Sequence, residues 1–246
     1  MRDWQRQPRS RLAWRLHVLR TRPAGRAALA TLSLLLFVVG AGMVLYPFVT
    51  DMYARRMVQR PLEDRFSAPG LRQAYLKRAV PVGDPLTRIR IPAIGVEAIV
   101  VEGTSPEALR AGAGHYPNTP LPGEKGNVAI AGHRTTYGKP FGQLEMLQAG
   151  DLIELETPLQ THTYRVVEHP RGLTGCPSGA CWITAPDDWG VVGPTATPML
   201  TLTTCHPKGS ARQRLILRAA LTRATSIAPP AHPPRSRTRS RTGSRT

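Results

Sequence analysis

The chain has 246 residues, enough for one sizeable domain with accessory segments. Its formal net charge of +17 would suit a nucleic-acid-binding protein, but the charge is concentrated at the two ends. Residues 1–26 carry eight Arg and one Asp, and residues 223–246 carry six Arg and no acid, which leaves only +4 for the 196 residues between them. Because the centre is nearly balanced, the sequence predicts no nucleic-acid partner.

Residues 27–49 form a run without charge in which Thr31 and Ser33 are the polar side chains. The run is close to the roughly 20 residues that a helix needs to cross a bilayer. A signal peptide has a shorter apolar core and a small-residue cleavage site, and no such site is evident here. The sequence therefore predicts one uncleaved transmembrane helix. The excess of Arg before it favours a cytoplasmic N-terminus and an extracytoplasmic remainder.

Composition divides the rest of the chain into three parts. Residues 50–85 mix charges with Pro and Gly, which predicts an extracytoplasmic stem whose one helical candidate is at 71–77. Residues 86–222 carry the regular apolar patterns of a folded domain. Residues 223–246 are rich in Pro, Ser, Thr and Arg, so this basic tail is predicted to be disordered, as residues 1–26 are predicted to be a basic cytoplasmic segment.

The folded domain is predicted to be mainly β, a barrel or a sandwich, because it contains many short apolar or alternating runs bounded by Pro and Gly. A short helix is predicted after Ser105, which can cap a helix that begins at Pro106, and another around Leu144. The connection 170–198 contains no predicted element. The predicted strands are 88–91, 96–101, 128–131, 152–155, 164–167, 199–205 and 215–217.

Three side chains with suitable chemistry each lie at the end of a predicted strand. Cys205 ends an alternating run, and Arg214 precedes the next run after a short loop that contains Pro and Gly. His133 directly follows the strand predicted at 128–131. A thiol nucleophile, a cation and an imidazole in one site would suit covalent acyl chemistry.

Other residues of the same types are alternatives. His206 is next to Cys205, so on a strand its side chain points to the opposite face, and His115 is a further candidate base. Arg212 competes with Arg214, because both would project to the same side of a strand.

Two motifs carry a resemblance to a known family. Residues 132–138 read G-H-R-T-T-Y-G, and residues 201–207 read T-L-T-T-C-H-P, with Arg214 nine residues after the cysteine. In order and spacing these motifs resemble the sortase family, and in form they are most like its actinobacterial class E. The resemblance covers about residues 86–221 and implies an eight-stranded β-barrel.

The resemblance also implies a role for each site residue. Cys205 would be the nucleophile that forms a thioacyl enzyme, and His133 the general acid and base. Arg214 would stabilise the oxyanion with its planar, permanently charged guanidinium. Thr204 matches a family position associated with substrate contact, and Tyr137 is a weaker candidate for the same groove.

The activity that the resemblance implies is transpeptidation at the cell surface. Secreted proteins with a C-terminal sorting signal of the LAxTG or LPxTG kind would be cleaved between Thr and Gly and joined to a peptidoglycan amine. Two alternatives are an extracytoplasmic cysteine protease and an inactive, anchored binding module. Papain-like proteases place the cysteine before the histidine, whereas here His133 precedes Cys205. The spacing of His and Cys predicts no metal site, and no cofactor is expected.

Cys176 and Cys181 are the other two cysteines. Outside the cell a disulfide between them would persist, and the four residues that separate them include Pro and Gly and can form a turn. Such a bridge would leave the thiol of Cys205 free, which the mechanism requires. The sequence predicts this bridge as a hypothesis that thiol titration can test.

Overall fold

The structure is a computed structural model that describes residues 23–169 and 175–226. Most of the predicted cytoplasmic segment, up to residue 22, and the predicted tail from residue 227 onward lie outside the described residues. The disorder predicted for that part of the tail stays a prediction.

The domain is an eight-stranded β-barrel, which confirms the mainly β prediction. Eight strands follow one another in the order β6-β5-β1-β2-β3-β4-β8-β9, and β9 also pairs with β6, which closes the barrel. A ninth strand, β7, pairs with β9 alone. The strands are β1 (Pro85–Ile91), β2 (Val96–Glu102), β3 (Ala113–His115), β4 (Asn127–Gly132), β5 (Leu152–Glu156), β6 (Gln160–Val166), β7 (Cys181–Thr184), β8 (Met199–His206) and β9 (Gln213–Ser226).

Strand β9 is long enough to have a different partner along each half. Its first half pairs with β7 as well as β8, and its second half pairs with β6, ending with Gln160 opposite Ser226. The strand therefore continues four residues past residue 222, where the folded domain was predicted to end. Residues 223–226 of the predicted disordered tail are strand, because their backbone groups complete the barrel against β6.

Side chains alternate between the barrel interior and its outer face. Leu200 and Leu202 of β8 and Leu215 and Leu217 of β9 are buried in the main core. Since consecutive strand residues point to opposite faces, residues of the other parity in β8, including Cys205, lie on the outer face. The site therefore has to be built on the outside of the barrel.

The N-terminal part of the described chain is one long helical segment. Helix α1 (Pro23–Tyr53) continues through a π-helical stretch (Ala54–Gln59) into α2 (Arg60–Phe66), 44 residues in all. The apolar stretch within it is long enough to cross a membrane and has none of its residues buried against the protein. Among the described residues this is the one helix of that kind, which is consistent with the predicted single-pass anchor.

Part of residues 50–85, the segment predicted to be a stem, packs on the barrel. Besides α2 they form α3 (Pro69–Leu76), close to the helix predicted at 71–77. Gln59 accepts the Ile99 N–H at 2.7 Å and donates to the carbonyl of Ala111, so this side chain is bonded to the barrel backbone. The apolar contacts join Leu62, Phe66 and Leu71 with Ile99, Val101, Ala108 and Ala111. The sequence did not reveal this packing because the three apolar residues are widely spaced and interrupted by proline.

Sequence patterns predicted two of the shorter elements and missed two others. Helix α4 (Pro106–Leu109) is capped as predicted, with Ser105 Oγ accepting the Ala108 N–H at 3.2 Å. A 3₁₀ turn (Leu144–Met146) occupies the position of the second predicted helix. The connection 170–198 contains β7 and a 3₁₀ turn (Trp189–Val192), neither of which was predicted.

We expect Phe66→Ala to lower the free energy of unfolding by about 3 kcal/mol, a cost typical of deleting a buried aromatic ring. Phe66 is 8% exposed, and the guanidinium of Arg88 lies 5.2 Å from its ring centroid. Urea unfolding of the full chain in detergent measures the effect. Leu76→Ala is the control, because Leu76 is 55% exposed. Equal unfolding free energies for the two variants would mean that residues 50–85 do not fold with the barrel.

Candidate active site

Cys205 and Arg214 lie directly opposite each other on β8 and β9, which are antiparallel neighbours. Residues in such a pair point to the same face of the sheet, with their Cβ atoms generally about 4.5–5.5 Å apart. The side chains of Cys205 and Arg214 therefore start from one patch of the outer face. Arg214 Nη1 donates to the carbonyls of Ala211 and Gln213, at 2.9 and 3.0 Å, which holds this side chain at the start of β9.

His133 is brought to the same place by β4, which runs parallel to β8. The last pair of this ladder is Ala131 with Thr203, an offset of 72 residues that is constant along the two strands. Two residues further on, just past the end of β4, the same register would set His133 opposite Cys205. Parallel strands end at the same edge of a sheet, so both side chains lie where β4 and β8 end.

His133 is half-buried, and its surroundings favour the neutral imidazole. Its backbone N–H donates to the Gly112 carbonyl at 3.1 Å, and its carbonyl accepts the Phe141 N–H at 3.2 Å. The ring centroid of Tyr137 is 5.1 Å from that of the imidazole, with the planes tilted by 37°. Burial lowers the pKa of His133 below its ordinary value of 6.5, so the ring is neutral at pH 7.

Arg134 is a buried part of the site that the sequence reasoning missed. It is 6% exposed, its Nη1 donates to the Cys205 carbonyl at 3.0 Å, and the same atom lies 2.8 Å from His206 Nδ1. A guanidinium can only donate, so His206 Nδ1 is the acceptor and carries no proton. Burial, together with the charge of Arg134, lowers the pKa of His206.

A carboxylate holds Arg134 in this position. Glu145 Oε2 lies 3.1 Å from Arg134 Nη2, an ionic contact without hydrogen-bond geometry, and Glu145 Oε1 lies 2.6 Å from Lys208 Nζ. Burial opposes ionisation of Glu145, but the hydrogen bond from Lys208 and the nearby charges outweigh it, and the pKa of Glu145 is lowered. The one signal for this network in the sequence is the position of Arg134 next to His133 in the motif.

The two residues predicted to contact substrate have different surroundings. Thr204 is 3% exposed, and its hydroxyl donates to the Gly132 carbonyl at 2.8 Å, which ties the end of β8 to the end of β4. Tyr137 is partly exposed and lies against His133. The geometry thus sets Tyr137 beside the proposed base and gives the Thr204 hydroxyl a bond within the protein.

Two of the rival candidates, His115 and Arg212, have surroundings that do not suit the proposed roles. His115 is 3% exposed, with Nδ1 2.8 Å from Glu102 and Nε2 2.9 Å from the hydroxyl of Thr119, so both ring nitrogens are engaged in the protein. Arg212 is exposed and precedes β9, without a strand partner in the ladder with β8. The arrangement favours His133 and Arg214 over these alternatives.

Cys205 is the cysteine with a free thiol, and it is partly exposed. Cys176 and Cys181 are bonded to each other, with their Cα atoms 5.3 Å apart. Closing so small a ring is worth about 2 kcal/mol in the chain-entropy model. The bridge stabilises the turn that leads into β7 and leaves one thiol available for chemistry.

We predict that His133 titrates below pH 6.5 in the folded protein, since burial opposes its protonation. The unfolded chain binds this proton more readily, so the contribution of His133 destabilises the fold as the pH falls through 6.5. Tyr137→Ala should admit water and raise the pKa toward 6.5. NMR of histidine ring carbons over a pH series measures the pKa of His133 in the unsubstituted protein and in Tyr137→Ala. A titration midpoint at or above 6.5 in the unsubstituted protein would contradict the prediction.

We predict that Arg134→Met lowers the free energy of unfolding by about 1 to 3 kcal/mol, because it leaves the Cys205 carbonyl without its donor and removes the buried cation beside the Glu145 carboxylate. Lys208→Met is the matched control. It removes a cation from the same carboxylate, but its side chain is 51% exposed, so its loss should cost about 1 kcal/mol or less. Urea unfolding measures the free energy of unfolding of both variants. An equal decrease for both would contradict the larger contribution assigned to Arg134.

Comparisons with known proteins show the family to which the chain belongs. A model of the sortase domain matches residues 89–222. Sortase SrtE1 of Streptomyces coelicolor is 28% identical over 210 residues, covering 80% of this chain and 59% of that protein. Sortase D of Bacillus subtilis is 32% identical over 133 residues, covering 52% of this chain and 60% of that protein. The chain thus spans about three fifths of the length of these relatives.

Solved structures show the same similarity. A Clostridium perfringens sortase D5 transpeptidase superimposes with a TM-score of 0.56 at 27% identity, over 69% of this chain and 99% of that one. Sortase E of Streptomyces avermitilis gives 0.51 at 35% identity, over 59% of this chain and 93% of that one. Because the sortase model matches more than half of the 246 residues, the chain belongs to the sortase family of cysteine transpeptidases, with class E as the type that it most resembles.

Proposed function

We propose that the protein is a membrane-anchored cysteine transpeptidase. It cleaves a C-terminal sorting signal of the LAxTG or LPxTG kind between Thr and Gly and joins the protein to a cell-wall peptidoglycan amine. The observation that carries the proposal is the pairing of Cys205 with Arg214 on β8 and β9. The parallel register of β4 with β8, continued past the last ladder pair, supports His133 as the third member of the site.

The first half of the reaction forms a thioester. Cys205 Sγ attacks the carbonyl carbon of the signal's Thr, and the developing oxyanion takes hydrogen bonds from Arg214. As the intermediate collapses, the C–N bond to Gly breaks, and His133 delivers a proton to the departing amine. A thioacyl enzyme and a free glycyl peptide result. The lowered pKa of His133 suits this sequence, since a neutral imidazole can take the thiol proton and then pass it on.

The second half reverses these steps with a new amine. The acceptor nitrogen attacks the thioester and His133 accepts its proton. The C–S bond then breaks, and His133 returns the proton to the departing thiolate, which restores the thiol of Cys205. The product is an amide, so neither a cofactor nor an energy source is consumed.

Substrate binding is proposed for the outer face next to Cys205. Tyr137 lies beside His133, where a peptide in the site would meet its ring. Thr204 serves the same site by fixing the ends of β4 and β8, since its hydroxyl is buried against Gly132. The choice of LAxTG or LPxTG follows from the class E resemblance, not from a contact in this structure.

The proposed location is the outer surface of the cell membrane, with the N-terminus in the cytoplasm. Three features support it: the exposed apolar helix, the Arg-rich segment that precedes it, and the bond between Cys176 and Cys181, which would persist in an oxidising compartment. The partners there are secreted proteins with a sorting signal and the amine of a peptidoglycan precursor.

The full chain in detergent, incubated with a signal peptide and a small amine, should give the amide product and a thioacyl adduct on Cys205. Mass spectrometry detects both, and Cys205→Ala should abolish them. Hydrolysis alone, unchanged by the amine, would identify a cysteine protease. Peptide binding without turnover in the unsubstituted protein would identify a binding module.

Substitutions of Arg214 and Arg212 provide a variant and its matched control. Arg214→Ala should lower kcat/KM by about 100-fold to 1,000-fold, the cost typical of losing one oxyanion donor. Arg212→Ala should leave kcat/KM within about twofold of the unsubstituted value, because it lies outside the strand pair and a surface substitution of this kind is normally near neutral.

A further inference from the structure

The loop that follows His133 has an unusual backbone. Tyr137, Gly138 and Lys139 are consecutive residues with positive φ, of 50°, 78° and 39°. Glycine adopts such angles freely, but for Tyr and Lys they are costly and persist only where the surrounding structure imposes them. Some contact must therefore hold this loop.

Asp51, two residues beyond the predicted membrane span, makes that contact. Its Oδ1 accepts the Gly138 N–H at 3.0 Å, and its Oδ2 lies 2.8 Å from Lys139 Nζ. Asp51 is 9% exposed, so its carboxylate is committed to these two partners. One side chain of the anchor helix thereby fixes two of the three left-handed residues.

The helical segment that carries Asp51 is itself fastened to the barrel. Ala54, one turn further on, is fully buried, and a methyl group added at Gly138 would meet it at 3.8 Å. Gln59 is bonded to the backbone of Ile99. Asp51 is thus held by a segment that cannot swing away from the loop without breaking these contacts.

The loop in turn contacts His133. The ring of Tyr137 lies against the imidazole, with centroids 5.1 Å apart. The Tyr137 carbonyl packs on Gly112 so closely that a methyl group there would come within 2.8 Å of it. Gly112 also accepts the backbone N–H of His133. A continuous set of contacts therefore runs from Asp51 through Tyr137 to His133.

We propose that Asp51 is a positioning residue for His133, through which the membrane-proximal end of the anchor helix holds the catalytic loop in its active conformation. The proposal rests on the proposed role of His133 as acid and base. Asp51 reaches the reaction only through the loop: without its carboxylate, Tyr137 and Lys139 are free to relax to negative φ, and the imidazole loses its stacking partner and its fixed orientation.

The test uses the full chain in lipid nanodiscs, with Asp51→Ala, Asp51→Asn and the control Asp64→Asn. Asp64 lies on the same helical segment and is exposed. We expect kcat/KM to fall on the order of tenfold in Asp51→Ala, since a shift of about 1 Å in a catalytic group can cost ~100-fold. Asp51→Asn keeps an acceptor for the Gly138 N–H but loses the charge that holds Lys139, so its decrease in kcat/KM should be smaller than that of Asp51→Ala. Asp64→Asn should match the unsubstituted protein.

A second measurement separates positioning from simple stability. In Asp51→Ala the NMR titration midpoint of His133 should rise toward 6.5, because the imidazole becomes hydrated, while Asp64→Asn leaves the midpoint unchanged. An unchanged kcat/KM, or a lowered melting temperature with an unchanged His133 midpoint, would overturn the proposal. If the unsubstituted protein has no transpeptidase activity, the proposed function fails, and the His133 midpoint still decides whether Asp51 acts on this residue.

Discussion

The parallel pairing of β4 with β8 is the constraint on which the proposed site depends. These strands are far apart in the sequence, and their register, continued past the last ladder pair, would bring His133 and Cys205 side by side on the outer face. A slip of one residue would turn one of the two side chains to the other face. Two further bonds hold the register beyond the last ladder pair, from the Thr204 hydroxyl to Gly132 and from Arg134 to the Cys205 carbonyl. Thr204 and Arg134, which have no proposed chemical role, thus hold the ends of β4 and β8 together at the proposed site.

The anchor helix adds a second constraint, from outside the barrel. The sortase model begins at residue 89, yet the helical segment before it closes an apolar cluster on the barrel and bonds to the loop after His133. The part of the chain that folds together with the barrel therefore begins in the helical segment that precedes it. A barrel isolated from residue 86 onward would expose Ile99 and Val101, which are almost fully buried in the full chain.

Local patterns in the sequence were enough to predict the mainly β fold and to suggest the residues of the proposed site, but not the contacts that support them. Alternating apolar residues identified the longer strands, and the position of His133 and Cys205 at strand ends suggested a shared site. Strands β3 and β7 have three and four residues, too few for a period of two to be recognised. Arg134 and Asp51 were missed for another reason: a buried charge acquires its meaning from partners that are distant in the chain, and no local pattern encodes those partners.

The position of β9 explains why Arg214, rather than Arg212, is suited to the proposed site. At Arg214 the strand is flanked on both sides, by Cys205 on β8 and by Thr184 on β7. Arg212 precedes the strand and has neither neighbour. Strand β7 in turn begins at Cys181, which is fully buried and bonded to Cys176. The disulfide therefore stabilises the strand that pairs with the start of β9, where Arg214 lies. A bridge remote in sequence from Cys205 thus supports the backbone that carries the proposed oxyanion donor.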